Sequence, residues 1–161
     1  MVDPPVIAAI AWAVVLGVAG GLLTRLTPWY YALRRPPWQP PDWLFGPAWT
    51  LILGLAAWAA VLAWRGADGD PAAERAIITL YAVNFLFHLL WTPIFFIWRR
   101  PDLALVEVVF LWASVLALII GVRPHSATAS WLLVPYISWV SFAALLNLAV
   151  VRLNPRARVP A

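Results

Sequence analysis

The sequence has no cysteine, no lysine and little charge of either sign. Without cysteine, disulfides and thiolate metal sites are excluded, and the redox compartment leaves no trace. Charged residues make up 11% of the 161 positions. Soluble domains carry roughly 25%, so a water-facing surface could not be covered here. Only two histidines occur, His88 and, in a loop, His125, and neither a Ser-His-Asp set nor a metal cluster is evident. A glycine-rich phosphate loop is also missing. The formal net charge of +4 rests entirely on arginine for its basic part. Those arginines fall between apolar segments rather than on one face or tail, which is membrane topology and not a phosphate footprint.

What is there is mostly apolar. Hydrophobic residues make up 64% of the chain, against about 45–50% in a soluble domain. A helix needs about 20 apolar residues to cross a hydrocarbon core. Charges divide the sequence into five such stretches, at about residues 6–24, 43–64, 76–98, 103–122 and 130–151. The runs are continuously apolar, without the alternation of a closed barrel, so an all-α integral membrane bundle in one domain is expected over 1–161. The start, Met1 to Pro5, lacks the basic region of a signal peptide, so the first run is read as a span.

Arginine asymmetry gives an orientation. The loops on the side of the N-terminus hold Arg65, Arg75 and Arg123. Arg25, Arg34, Arg35, Arg99, Arg100, Arg152, Arg156 and Arg158 lie on the other side. The N-terminus is therefore expected outside and the C-terminus in the cytoplasm.

Tryptophan occurs 12 times and proline 15 times. Interfacial belts explain some of the indoles but not their clustering. Loop 1, residues 25–42, reads RLTPWYYALRRPPWQPPD. It sets Trp29, Tyr30 and Tyr31 in a row, then Trp38 among four prolines. A stiff, aromatic, donor-poor segment of this kind suits a lid over a site better than a simple connection. Span 1 carries Ala9, Ala13, Gly17 and Gly21 on one stripe, read as packing within the bundle rather than as a dimer face.

In span 3, Asn84, His88, Trp91 and Phe95 share one helical face. Polar groups in hydrocarbon face the interior, which leaves two readings open: a pocket wall, or hydrogen bonds that only hold the bundle. His88 is more simply a hydrogen-bonded side chain than a haem ligand. In span 5, Tyr136, Trp139, Ala143 and Asn147 share another face, and span 2 opens with Trp43 and Trp49 near its start. Several indoles around one space suit a large, planar, mostly apolar ligand. Glu107, about one turn inside span 4, is expected to snorkel to the headgroups, with span 4 largely facing lipid.

These segments also carry a resemblance. The run WYYALRRPPWQPPDWLF from Trp29 to Phe45, followed by Trp49, resembles the TspO/MBR family of tryptophan-rich sensory proteins. So do WTPIFF from Trp91, PYISW from Pro135 and NLAVVRLN from Asn147, over roughly residues 6–154. That family includes the translocator proteins, or peripheral benzodiazepine receptors, and the chain looks like a bacterial member. The resemblance implies a five-helix bundle, commonly a homodimer in the cell membrane, with a pocket at the loop 1 end. It implies binding of porphyrins, with protoporphyrin IX or haem as ligand and no obligatory cofactor, and a role in tetrapyrrole regulation or stress and light responses. A light-dependent degradation of porphyrin is implied as an alternative activity, with Trp49 and Trp139 as the reacting residues. Transport of tetrapyrroles or lipid-like molecules is a further alternative, against which the lack of an evident inverted repeat argues mildly.

The expected ligand contacts in loop 1 and span 2 are Tyr31, Trp38, Pro41, Trp43, Phe45, Trp49 and Leu53. From spans 3 and 5 they are Asn84, Phe87, His88, Trp91, Trp139, Ala143 and Asn147. Arg34 and Arg35 either pair with ligand carboxylates or serve only as inside charges. The chain departs from the family pattern at Asn84 and His88, where Gln and Asn are usual, and at Leu53, where Tyr is common. Between Leu146 and Arg152 there is no tyrosine ahead of the basic residue, so the animal sterol motif is not met.

Overall fold

A computed structural model describes residues 3–155. Arg156 and Arg158, two of the arginines in the topology argument, lie outside the described residues. The described chain folds into seven helices: α1 (Pro4–Leu23), α2 (Pro28–Ala32), α3 (Asp42–Gly66), α4 (Pro71–Phe96), α5 (Pro101–Val122), α6 (Ala127–Leu132) and α7 (Val134–Leu153). Five helical stretches are long and apolar enough to cross a membrane, the last formed by α6 and α7 together. The fold is the expected all-α bundle.

Local chemistry sets where these helices begin and end. Proline occupies the first turn of α1, α2, α4, α5 and α7, where its missing N–H costs no hydrogen bond. Helix α4 starts at Pro71, five residues before the expected boundary. The Asp70 carboxylate accepts from the Ala72 amide at 2.9 Å and caps a polar first turn that hydropathy alone does not reveal. At its other end α4 stops at Phe96, before the expected Trp98. Arg99 there takes a left-handed conformation, φ +54°, and the Arg100 amide bonds back to the Ile94 carbonyl at 3.1 Å. The break between α6 and α7 falls at Leu133, because Pro135 has no amide with which to continue the ladder.

Small residues hold the bundle together. Ala56, Ala59 and Ala63 form a fully buried stripe on α3. Such stripes bring helix backbones close where lipid supplies no hydrophobic drive between helices. Helix α1 packs along α3, α4 along α5, and α5 along α7. The expected packing role of the α1 stripe is borne out only in part. Ala9 is buried, Ala13 is half-buried and Gly17 faces Leu53, but Gly21 has open space around it. The rest of α1 presents Ile7, Ile10, Val14, Val18 and Leu22 outward, as a lipid-facing helix must.

Helix α5 corrects an expectation. It is the most buried of the spans, not a largely lipid-facing one. Ala104, Val108, Leu111, Val115, Leu118 and Val122 form a continuous inner stripe at helical spacing. Glu107 lies on that stripe, 8% exposed, and does not snorkel to an interface. The spacing of small and β-branched residues from Ala104 to Val122 sets which face turns inward, and Glu107 is carried in with it.

Candidate ligand-binding site

The site is built at the end of the bundle where α1 hands over to loop 1. Loop 1 is not irregular throughout. Pro28 to Ala32 make one short helix, α2, which drives Tyr30 and Leu33 into a second core with Ile94, Phe95, Ala104 and Val150. Trp29 meets Phe95 edge-on at 6.2 Å, and Tyr30 lies 5.5 Å from Phe96. Beyond α2 the loop is stitched to the end of α7. The Arg34 amide donates to Asn154 Oδ1 at 2.9 Å, and Asn154 Nδ2 donates to the Arg34 carbonyl at 2.8 Å.

The proline-rich part is fastened to the start of α3. The Tyr30 hydroxyl donates to Asp42 at 3.1 Å, and Gln39 Nε2 donates to the same hydroxyl at 3.1 Å. Arg35 pairs with Asp42 at 3.6 Å and lies over the rings of Tyr30 and Tyr31. Burial, with the Asp42 carboxylate second, pushes the Tyr30 phenol above its ordinary value. Tyr30 therefore stays protonated and donating across the physiological range.

Two cavities meet at this clasp. An outer one of about 490 Å³ opens between Leu33, Arg35, Pro36, Gln39, the prolines Pro40 and Pro41, and Asp42. An inner one of about 60 Å³ is lined by Phe45, Trp91, Phe95, Phe96, Ala143, Leu146, Asn147 and Val150, and by the clasp residues above them. Beside the inner cavity runs a chain of rings. Trp38 meets Phe142 at 5.8 Å, Phe142 meets Trp139 at 5.5 Å, Trp139 meets Trp49 at 6.4 Å, and Trp49 meets His88 at 4.7 Å. Phe45 leans edge-on against Trp139 at 5.7 Å. Each such ring contact contributes about 0.5–1.5 kcal/mol beyond simple burial.

Below the rings lies a polar knot. Asn84 donates to Ser114 Oγ at 2.9 Å and accepts from the Tyr136 hydroxyl at 3.1 Å. His88 Nδ1 is 2.6 Å from the same hydroxyl. For Asn84, and for the Nδ1 side of His88, the bundle-holding reading of the α4 stripe is the observed one. Asn147 has a similar task. With its amide oriented to satisfy both neighbours, it donates to the Pro101 carbonyl and accepts from the Leu105 amide, each at 3.0 Å. It thereby docks α7 on the first turn of α5.

Three polar groups near the ring wall are buried without a hydrogen-bond partner among the described residues: Trp91 Nε1, Trp139 Nε1 and the Glu107 carboxyl. The Asn84–Ser114 bond sets the antiparallel register of α4 and α5. Two turns along, that register brings Trp91 level with Glu107. Of these three residues, Trp91 lines the inner cavity.

The expected contacts divide accordingly. Phe45, Trp91, Ala143 and Asn147 line the inner cavity, and Pro41 lines the outer one. Trp38, Trp49, His88 and Trp139 belong to the ring chain. Asn84 sits behind it in the knot. Four others lie elsewhere. Tyr31 is exposed against Arg35, and Trp43 is 71% exposed on the outside of α3. Leu53 is buried towards α1, and Phe87 stacks on Phe110 between α4 and α5. Sequence reasoning did not single out Gln39, Phe96 or Val150. Their signal is tertiary, since each reaches the cavity only because α2 and the α7 end converge there.

The comparisons with known proteins agree with this architecture. The model of the TspO/MBR family matches residues 9–153. The tryptophan-rich protein TspO of Chlorobaculum tepidum is 37% identical over 142 residues, covering 87% of this chain and 89% of its own. The tryptophan-rich sensory protein of Cereibacter sphaeroides is 36% identical over 141 residues, covering 86% of both chains. The translocator protein of Ovis aries is 30% identical over 149 residues, covering 89% of this chain and 88% of its own. With the five spans, the aromatic loop and a family match over nearly its whole length, this chain belongs to the TspO/MBR family.

Proposed function

We propose that the protein is a membrane receptor for a planar, mostly apolar tetrapyrrole such as protoporphyrin IX, and that it senses this ligand rather than transforming it. The observation that carries the reading is the ring chain from Trp38 through Phe142 and Trp139 to Trp49, which flanks an apolar cavity under a clasped loop. Indole faces give a flat macrocycle a large contact area at little entropic cost. The names of relatives, tryptophan-rich sensory protein among them, fit this role. The inner cavity of about 60 Å³ is far below the roughly 300–1,000 Å³ of sites that enclose such ligands. Binding therefore requires loop 1 to lift. Of the polar groups without a partner, the Trp91 indole belongs to a residue that lines this cavity and is the donor this reading assigns to the ligand. Haem binds through its macrocycle in this reading, with Nδ1 of His88 engaged by Tyr136 and its ring packed against Trp49.

The closeness of Trp49 and Trp139, 6.4 Å between ring centroids, favours a second reading: light-dependent degradation of the bound porphyrin, with these two indoles taking part. One experiment separates the two. Titration with protoporphyrin IX in the dark, followed by tryptophan quenching, saturates under either reading. Illumination then leaves the porphyrin spectrum unchanged for a receptor, and bleaches it in a Trp139-dependent way for an enzyme. Without saturable quenching both readings fall, and uptake into sealed vesicles becomes the measurement that tests transport.

The same proposal has the protein as a homodimer in a bacterial cell membrane, with its N-terminus outside. In support, the arginine-rich ends gather where loop 1, the α4–α5 turn and the end of α7 meet.

A further inference from the structure

The two cavities are not separate features. Leu33, Arg35 and Gln39 line both, so Arg35 stands in the wall between the outer mouth and the inner chamber, its guanidinium beside Asp42 and over Tyr30 and Tyr31. On one side of it are Phe45, Trp91 and Phe95; on the other are prolines, Asp42 and solvent. A fixed positive charge thus sits where the apolar body of a ligand would end and its polar end begin.

The present partner of Arg35 is weakly held. The contact with Asp42, at 3.6 Å, is longer than a hydrogen bond, and both side chains are about 30% exposed. A carboxylate free to orient can instead accept two parallel N–H bonds from the guanidinium fork, at about 2.7–2.9 Å. Asp42 does not depend on Arg35. The Tyr30 hydroxyl donates to it at 3.1 Å, and as the first residue of α3 it lies at the helix end that favours negative charge. Exchanging one carboxylate for another at Arg35 leaves no buried charge without a partner.

We infer that Arg35 is the specificity-determining residue of the site: it takes the carboxylate of a ligand whose aromatic body fills the inner chamber, and that carboxylate displaces Asp42. The inference rests on the receptor reading above and sharpens it to carboxylate-bearing planar ligands. Displacement also removes one of the side-chain contacts that fasten loop 1 to α3, leaving the Tyr30–Asp42 bond as the remaining tie. Arg34, one residue away, is the natural comparison. Its side chain lines neither cavity, and its contacts with Asn154 run through its backbone.

The test compares protoporphyrin IX with its dimethyl ester, which has the same macrocycle and no carboxylate. Both are titrated in the dark against the full-length protein in detergent, with tryptophan quenching as readout. The wild type should bind the acid about tenfold more tightly than the ester, the usual scale of one charge-assisted pair. Arg35→Gln should abolish that preference, so that acid and ester bind with equal affinity. Arg34→Gln should keep it, and Asp42→Asn should tighten the acid by removing the competitor. Equal affinities in the wild type, a measurement that needs no variant, overturn the inference while leaving the receptor reading intact. A preference that survives Arg35→Gln overturns it as well. If neither compound binds saturably, the receptor reading fails and this inference with it.

Discussion

The Tyr136 hydroxyl lies 2.6 Å from Nδ1 of His88 and gives its one hydrogen to Asn84 Oδ1 at 3.1 Å. The hydroxyl therefore accepts from His88, which fixes the tautomer with the proton on Nδ1. A single phenol joins α7 to two positions on α4, and through Asn84 and Ser114 to α5. Tyr136→Phe should leave Asn84 Oδ1 and His88 Nδ1 without a partner, at a cost of about 1–3 kcal/mol for each group. Thermal unfolding in detergent would show a lowered midpoint. An unchanged midpoint would mean that water satisfies both groups and the knot does not hold the bundle.

A second prediction concerns Asn147. Asn147→Leu keeps the branched shape and suits an apolar bundle, but it removes the bonds to Pro101 and Leu105 on α5. The expected loss is about 1–3 kcal/mol of stability. Hydrogen exchange should show the α5 first turn opening faster, while the α5 C-terminal half stays protected.

Gly66 offers a steric test. A Cβ there would fall on the backbone carbonyl of His125, where the α3 end meets the α5–α6 turn, whereas a Cβ on Gly54 meets open space. Gly66→Ala should destabilise the protein by roughly 1–3 kcal/mol, as overpacking does. Gly54→Ala should be neutral or slightly stabilising through helix propensity. Equal effects in a side-by-side melt would contradict the packing described.

Trp139→Phe should weaken binding of protoporphyrin IX in the dark by about tenfold, since a stacked indole contributes on the order of 1–2 kcal/mol. Trp43→Phe, on the exposed outer side of α3, should leave it unchanged. The readout is the titration midpoint, and comparable losses from both would disconnect the ring chain from the ligand.

Topology gives the fifth. A reporter fused after the described C-terminal end should be reachable only from the cytoplasm, and one at the N-terminus only from outside. The reverse pattern would overturn the arginine argument.

The five spans were legible because hydropathy and charge act along the chain, and each run is long enough to leave no rival reading. Span ends were less so. The extra turn of α4 depends on the Asp70 cap, and the α6–α7 break depends on the amide missing from Pro135. The shared face of Asn84, His88 and Trp91 was also legible, but its two readings divide by depth, which no spacing reports. Trp91 reaches the cavity, while Asn84 is spent on Ser114 and Tyr136. Glu107 shows the limit most clearly. One turn from a span end, a carboxyl can point out or in, and the neighbours that decide are on other helices. Loop 1 was legible as a stiff aromatic cover. Its fastening through Arg35, Asp42, Tyr30 and Gln39 required the fold.

Four of the six residues from Pro36 to Pro41 have no amide hydrogen. This stretch therefore has almost no main-chain stake in where it sits. Its internal bond, from the Gln39 amide to the Pro36 carbonyl at 3.0 Å, travels with it. Apart from the bond that the Pro41 carbonyl accepts from the Leu44 amide at 3.0 Å, side-chain contacts such as Trp38 with Phe142 hold it in place. A ligand that replaces those contacts with its own can shift where the stretch sits. The motion would also be nearly silent in amide exchange, because the residues that move have few amides to exchange.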